Sequence, residues 1–242
     1  MTTWYDSKII RIEQESGHTR RFWIQIASEE IFHFEAGQFV TMDLPISDRR
    51  TKRWRSYSIA SAPDGTNVLE FCIVLLEGGA GTTYLFENAV VGTPIRFKGP
   101  DGGFVLKQAE ERDIVMICTG TGLAPFRSML LDVVNRGVAV QNIHLIFGAR
   151  LQSDILYRTE LEELASKFSW FQYDVALSRE SDKDWKGHKG YVHPIYLEAY
   201  KNIRPNVCFY ICGWSKMVDE AIANLLMEMG YERTQVFFEL YG

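Results

Sequence analysis

Cysteine is scarce in this chain, with four among 242 residues, at positions 72, 118, 208 and 212. They lie in or beside apolar runs, at spacings that match neither a zinc site nor a small disulfide framework, and so read as reduced, mostly buried thiols. A CxxxxCxxC set for a plant-type iron–sulfur cluster is missing, and the five histidines show no haem or metal pattern. No stretch approaches the roughly 20 apolar residues that a membrane span requires. The opening MTTWYDSKIIRIEQESGH lacks the apolar core of a secretion signal. Together these absences give the expectation of a cytoplasmic protein without a membrane anchor. Positive charge is also short: 26 Lys and Arg stand against 31 Asp and Glu, a net charge of -5. That balance excludes bulk affinity for nucleic acid, since a phosphate backbone needs a basic face. Internal repeats and low-complexity linkers are absent too.

What is present is a soluble, core-forming composition, 46% hydrophobic and 24% charged. The length fits one large domain or two ordinary ones, and the pattern of elements decides for two. Up to about residue 107 the chain reads as short β-branched or aromatic runs between turn residues: TWYDSKIIRIE, RRFWIQIA, QFVTMDL, WRSYSIAS, VLEFCIVLL and TPIRFKG. Such runs predict an antiparallel β-barrel or sandwich over residues 1–107, of which we expect a Greek-key barrel, interrupted by one helix near 82–88. Beyond it the texture changes to strands that look buried on both faces, DIVMICT, NIHLIFGAR, FQYDVALS and NVCFYICG, alternating with helices at 125–135, 157–167, 193–201 and 215–229. A final strand, QVFFELY, ends almost at the last residue. This alternation predicts a doubly wound parallel α/β domain over residues 108–242.

Three motifs carry chemistry. After IVMICT comes the turn GTGLAP, with Gly120, Thr121, Gly122 and Pro125. Small residues there admit a pyrophosphate close to the backbone, and a proline in the first turn of a helix removes no needed hydrogen bond. In the first domain Arg55-Ser56-Tyr57-Ser58 sets a phosphate-binding fork, an aromatic plate and a hydroxyl along one strand, with Arg55 and Tyr57 on one face and Ser58 on the other. The third motif is Cys212-Gly213-Trp214-Ser215-Lys216-Met217, where an apolar strand runs into a helix. That is the edge of an open parallel sheet at which ligands bind. By residue type alone Cys212 also suits a small buried position.

In order and separation these motifs resemble those of the ferredoxin–NADP reductase family, RxYS, GxGxxP and CGxxxM, and the resemblance runs from the barrel to the terminal Glu239-Leu240-Tyr241. It implies FAD as cofactor, with Arg55 on a flavin phosphate, Tyr57 along the ribityl and ring, and Ser58 hydrogen-bonded to the reactive ring nitrogen. The segment 78–85 looks like the family's second flavin-phosphate loop. There, beside Gly81, Thr82 or Thr83 would cap a helix that points its N-terminus at the pyrophosphate, Thr82 replacing a serine of many relatives. Cys212, Gly213 and Met217 would contact the nicotinamide without Cys212 acting as a nucleophile. Glu239 and Tyr241 match the family's carboxylate and flavin-covering aromatic residue, Gly242 following as one extra residue. Tyr241 either gates the nicotinamide or simply finishes the last strand.

Coenzyme choice turns on Ser178-Arg179-Glu180 after the third parallel strand and Arg150 after the second, with Lys186, Lys189 and Tyr191 as further candidates. A hydroxyl and a guanidinium at that edge lean toward NADPH over NADH. Catalysis would rest on Ser58, Cys212, Glu239 and Tyr241. With no cluster ligands in the chain, electrons would leave to a separate ferredoxin, flavodoxin or oxygenase component. Release of reduced free flavin, or a flavin-binding regulatory role without turnover, are the alternatives. The run RRTKRWR over 49–55, five cations in seven residues, would steer an acidic partner or form a solvated loop.

Overall fold

Alternation of apolar and polar residues builds the first sheet. In β2 (Thr19–Ile26), Phe22, Ile24 and Ile26 are buried while Arg21, Trp23 and Gln25 stand between them on the other face. Burying each large apolar side chain contributes roughly 1.5–3 kcal/mol. The computed structural model describes residues 3–28, 31–107, 109 and 111–241, so Gly242 lies outside the described residues. With β1 (Trp4–Ser16), β3 (Phe39–Asp43), β4 (Trp54–Ser58), β5 (Val68–Val74) and β6 (Pro94–Asp101), β2 forms a six-stranded antiparallel sheet in the order β4-β3-β6-β1-β2-β5. The amide of Ala60, just past β4, donates to the Glu70 carbonyl of β5 at 2.8 Å, joining the two ends of the sheet into a barrel. One short helix, α1 (Ala80–Glu87), interrupts the strands.

The chain forms two compact units, and the line between them is not a single cut. Met1–Leu106 and Ala124–Arg136 make the first; Lys107–Leu123 and Gly137–Gly242 make the second. The helix α2 (Leu123–Arg136) therefore contributes nearly all of its length to the first unit. It buries Phe126, Met129, Leu130 and Val133, a spacing of i, i+3, i+4 and i+7 that marks one helical face.

The second unit holds β7 (Asp113–Thr119), β8 (Ile143–Ala149), β9 (Phe171–Leu177), β10 (His188–Lys189), β11 (Val207–Trp214) and β12 (Val236–Tyr241) in one parallel sheet ordered β10-β9-β8-β7-β11-β12. Its central strands are apolar on both faces because both are covered, as Ile114 through Cys118 and Val207 through Cys212 show. Helices α3 (Arg158–Lys167), α4 (His193–Ala199) and α5 (Ser215–Ala223) connect them. The helix expected at 215–229 instead widens into a π-helical turn at Asn224–Glu228, where the Asn224 amide donates to the Tyr196 hydroxyl at 2.8 Å. The first strand, β7, lies inside the sheet with β8 on one side and β11 on the other, so the winding reverses between β7 and β11. The expected fold class is borne out in both parts. Among the described residues, no helix is long and apolar enough to cross a membrane.

A buried polar chain crosses the strands β8 and β9. His144, 5% exposed, shares a 2.8 Å hydrogen bond with the Tyr200 hydroxyl at Nδ1 and donates from Nε2 to Asp174 Oδ2 at 2.8 Å. Gln172 donates to the same carboxylate at 2.7 Å. The His144 hydrogen bond, ahead of the Gln172 one and against the opposing effect of burial, holds the Asp174 carboxyl down to about 2. A depressed carboxyl stabilises the fold above its unfolded value, near 4, and loses that stabilisation as pH falls through the folded value. Asp174→Asn is thus expected to lower stability by at most about 2 kcal/mol at neutral pH, and to flatten the loss of stability between about pH 4 and pH 2. Denaturant unfolding across that range checks it; parallel curves for variant and parent would contradict it.

Candidate functional site

In the first unit, β4 presents Arg55 and Tyr57 to the first turn of α1. A Cβ placed on Gly81 would stand 2.9 Å from Arg55 Cγ, 3.4 Å from Arg55 Nε and 3.3 Å from the Tyr57 hydroxyl, so only glycine lets the helix approach this closely. Arg55 Nη1 donates to the carbonyls of Lys52 and Trp54 at 3.1 and 2.7 Å, which fixes the plane of the guanidinium. Burial, opposed by Arg55, pushes the Tyr57 hydroxyl up to about 12, so the ring stays neutral at physiological pH. Ser58 is buried, 5% exposed. Ser56 alternates to the other face, where its hydroxyl is 3.0 Å from Thr41 Oγ1.

The expected cap at the start of α1 needs correction. Gly79, not Thr82 or Thr83, is the N-cap, without a side-chain cap bond. Thr82 sits inside the first turn, where its hydroxyl donates to the Gly79 carbonyl at 3.0 Å and accepts from the Leu76 amide at 3.1 Å. A hydroxyl so engaged is turned back on its own loop, and the amides of Ala80, Gly81 and Thr82 are left with no acceptor inside the helix. A guanidinium fork, an aromatic ring and first-turn amides around a glycine are the donor set that a flavin carrying a pyrophosphate requires, and the residues fit FAD.

In the second unit, the Gly-rich turn follows β7 at the point where the winding reverses, which is where an open α/β sheet binds its ligand. Gly120 has φ +53 and Gly122 is packed so tightly that a Cβ would lie 2.4 Å from the Cys212 carbonyl oxygen. Gly213, at φ +144, closes from the other side, since its Cβ would lie 2.7 Å from Thr119 Oγ1 and 3.2 Å from Met217 Cε. The ends of β7 and β11 thus interlock through two glycines. Pro125 is the third residue of the helix that follows, in its first turn as expected. Thr119 Oγ1 is buried without a hydrogen-bond partner among the described residues. Sequence reasoning passed over Thr119, although its position just before the turn was the signal. An orphaned hydroxyl beside glycines that open the backbone suits a dinucleotide at this edge.

Three of the expected catalytic residues gather here. Cys212 is fully buried on β11, with Glu239 in register with it on β12 and the Tyr241 side chain hydrogen-bonded to it. Burial first, then the charge of Glu239, pushes the Cys212 thiol well up, so it stays protonated at neutral pH. At the ends of β8 and β9 the Arg179 amide donates to the Arg150 carbonyl at 2.9 Å, with both residues exposed. The Ser178 hydroxyl donates to the Ala149 carbonyl at 3.3 Å. Lys189 Nζ donates to the Asp182 carbonyl at 2.8 Å and Tyr191 is exposed, whereas Glu180 accepts the amides of Gln152 and Asp182 at 3.1 and 2.8 Å. Those two amides hold the Glu180 carboxyl below its ordinary range, so a fixed negative charge follows Arg179 directly in the chain.

The basic run does not act as one block. Arg53 pairs with Asp43 at 2.7 Å, while Arg50 lies over Trp4 and Trp54 at 6.0 and 5.8 Å, with Lys98 over Trp54 at 4.8 Å.

Two family models and several known proteins match the chain. A family described as oxidoreductase FAD-binding domain matches residues 6–106, and one described as oxidoreductase NAD-binding domain matches residues 116–222. Ferredoxin–NADP reductase B of Sorangium cellulosum is 34% identical over 98% of this chain and 97% of that protein. The phenol hydroxylase P5 protein of Acinetobacter pittii is 30% identical over 95% of this chain, which spans only 63% of that protein. Among solved structures, a ferredoxin NADP+ reductase from Neisseria gonorrhoeae with bound FAD and NADP superposes with a TM-score of 0.83 at 25% identity, covering 98% of each chain. The Amycolatopsis cytochrome P450 reductase GcoB gives 0.85 at 25% identity, over 99% of this chain and 71% of that one. The chain therefore belongs to the ferredoxin–NADP reductase family and is an FAD-dependent NAD(P)H oxidoreductase.

Proposed function

We propose that this reductase takes a hydride from NADPH, in preference to NADH, and delivers electrons to a separate small redox protein, a ferredoxin or flavodoxin, or to an oxygenase component, in the cytoplasm. The observation that carries the reading is the gathering of Cys212, Glu239 and Tyr241 at the reversal of the sheet, next to the glycine turn. Bound FAD accepts a hydride as an electron pair and releases the electrons singly, which lets a nicotinamide serve one-electron acceptors. The flavin residues fall in 1–107 and the coenzyme residues in 108–242, and we assign the two roles to those stretches.

Arg55 and the first-turn amides around Gly81 hold the phosphates, with Thr82 and Thr83 shaping the loop. Tyr57, neutral over the working pH range, packs on the ring system. Ser58 supplies a hydroxyl donor toward the reacting end of the flavin. Gly120, Thr121 and Gly122 admit the pyrophosphate of the coenzyme, and Gly213 and Met217 shape the floor on which the nicotinamide rests. Cys212, kept as a thiol, orients that ring, and Glu239 sets the charge behind it. Tyr241 must leave its bond to Cys212 when the nicotinamide arrives.

Arg150, Ser178 and Arg179 read the extra phosphate of NADPH. Arg179→Ala is expected to raise the KM for NADPH roughly tenfold, as a lost charged hydrogen bond does, and to leave that for NADH nearly unchanged. Anaerobic bleaching of the bound flavin by each coenzyme in turn supplies the measurement. Equal losses with both would show that Arg179 does not read the phosphate, and the fixed charge of Glu180 beside it would then favour NADH. The cations Arg50 and Lys98 beside Trp4 and Trp54 offer a surface for an acidic acceptor.

A further inference from the structure

Strand β5 is apolar except at its third residue, and that exception is buried. Glu70 is 4% exposed and Arg127 of α2 is 6% exposed. Glu70 Oε1 accepts from Arg21 Nε at 2.6 Å and Oε2 from Arg127 Nη1 at 3.1 Å. The same Nη1 donates to the Ala60 carbonyl at 2.8 Å, and the Ala60 amide donates to the Glu70 carbonyl at 2.8 Å. Three of these four bonds, from Glu70 to Arg127 to Ala60 and back, close a ring. One residue on, Ser61 is held in the same manner: its hydroxyl accepts from the Glu70 amide at 3.1 Å and its carbonyl accepts from the Ser128 hydroxyl at 2.6 Å. Ser128 is fully buried.

Packing alone does not account for this arrangement. A buried ion pair is often no better than neutral against apolar residues of the same volume, because desolvation opposes the attraction. What a fully satisfied polar network adds is a single placement of the groups it bonds. The groups bonded here are the backbones of Ala60 and Ser61, which leave β4 immediately after Ser58 and the buried Ile59. We infer that Arg127 and Ser128 are positioning residues for Ser58, holding the exit of β4 so that the Ser58 hydroxyl keeps its aim. This rests on the reading of Ser58 as the donor to the flavin. Arg127 and Ser128 themselves touch neither cofactor nor coenzyme in this role.

The test compares Arg127→Met, Ser128→Ala and Ser58→Ala in the FAD-loaded protein. Three properties are read: the visible absorption spectrum of the bound flavin, the Kd for FAD after removal and titration back, and the single-turnover rate of flavin reduction by NADPH. The expected result is that Arg127→Met and Ser128→Ala shift the flavin bands in the same direction as Ser58→Ala and slow reduction roughly threefold or more, while the Kd for NADPH changes by less than about twofold. A merely structural pair would lower the melting temperature and leave spectrum and rate as in the parent. That outcome, beside an altered Ser58→Ala, overturns the inference alone. A silent Ser58→Ala overturns the assignment of Ser58 and the inference with it. Should Arg127→Met fail to fold, Ser128→Ala, which removes one hydroxyl and no charge, decides the question.

Discussion

Arg55→Ala is expected to yield a folded chain that holds FAD about tenfold to more than a hundredfold more weakly, the loss that follows from removing a charged hydrogen bond of roughly 1.5–3 kcal/mol to a phosphate. The side chain is half-buried, with Nη1 engaged by two backbone carbonyls and the remaining nitrogens without a protein acceptor among the described residues. Its removal therefore strands no buried carboxylate, and the fold should survive. Arg55→Lys separates charge from shape: a lysine keeps the charge but cannot present a planar fork, and should recover only part of the affinity. Titration of the deflavinated variants with FAD, followed by quenching of flavin fluorescence, measures both. Full FAD occupancy in Arg55→Ala at micromolar protein would remove Arg55 from the phosphate site.

Gly122→Ala should do the opposite, sparing the flavin and disabling coenzyme use. A methyl group at 122 would meet the Cys212 carbonyl at 2.4 Å, and that atom is backbone, so the turn itself must move. Overpacking of this kind typically strains a structure by about 1–3 kcal/mol. Here the relief available is withdrawal of the turn from the end of β11, which displaces the amides offered to the pyrophosphate. We expect kcat/KM for NADPH to fall by at least about tenfold, equivalent to roughly 1.4 kcal/mol, with one FAD still bound per chain. Chemical reduction by dithionite should remain as fast as in the parent. If NADPH reduces the variant at the parent rate, the turn is not the pyrophosphate cradle.

Much of the fold was legible because local chemistry dictates it. The alternation in β2 and the unbroken apolar runs of β7 and β11 each match the faces they cover. The alternation along β4 likewise puts Arg55 and Tyr57 together, and both meet Gly81. What was hidden depends on pairs far apart in the chain. The face of α2 formed by Phe126, Met129, Leu130 and Val133 announces that a helix must be covered, but it carries no mark of the surface that covers it. Glu70 and Arg127 are separated by 57 positions. A single glutamate in an apolar strand signals that a partner exists without indicating where. Thr82 misled for a more local reason: a hydroxyl near a helix start suits a cap, but the backbone begins the helix earlier, at Ala80 with Gly79 as its N-cap.

The passage of α2 into the first unit has a consequence for how such a chain is inherited. Neither unit is a continuous stretch, because the chain changes unit after Leu106, after Leu123 and after Arg136. Recombination at one point, the simplest way to lend a barrel to a new partner domain, would deliver the six strands with Glu70 but leave Arg127 behind. The recipient would inherit a buried carboxylate deprived of one of its two arginines unless its own helix carried a matching base. Exchange among relatives should therefore succeed where donor and recipient share this acid–base pair across the junction, and chimeras joined at 106 and 107 without it should fold poorly whatever the quality of the strands they combine.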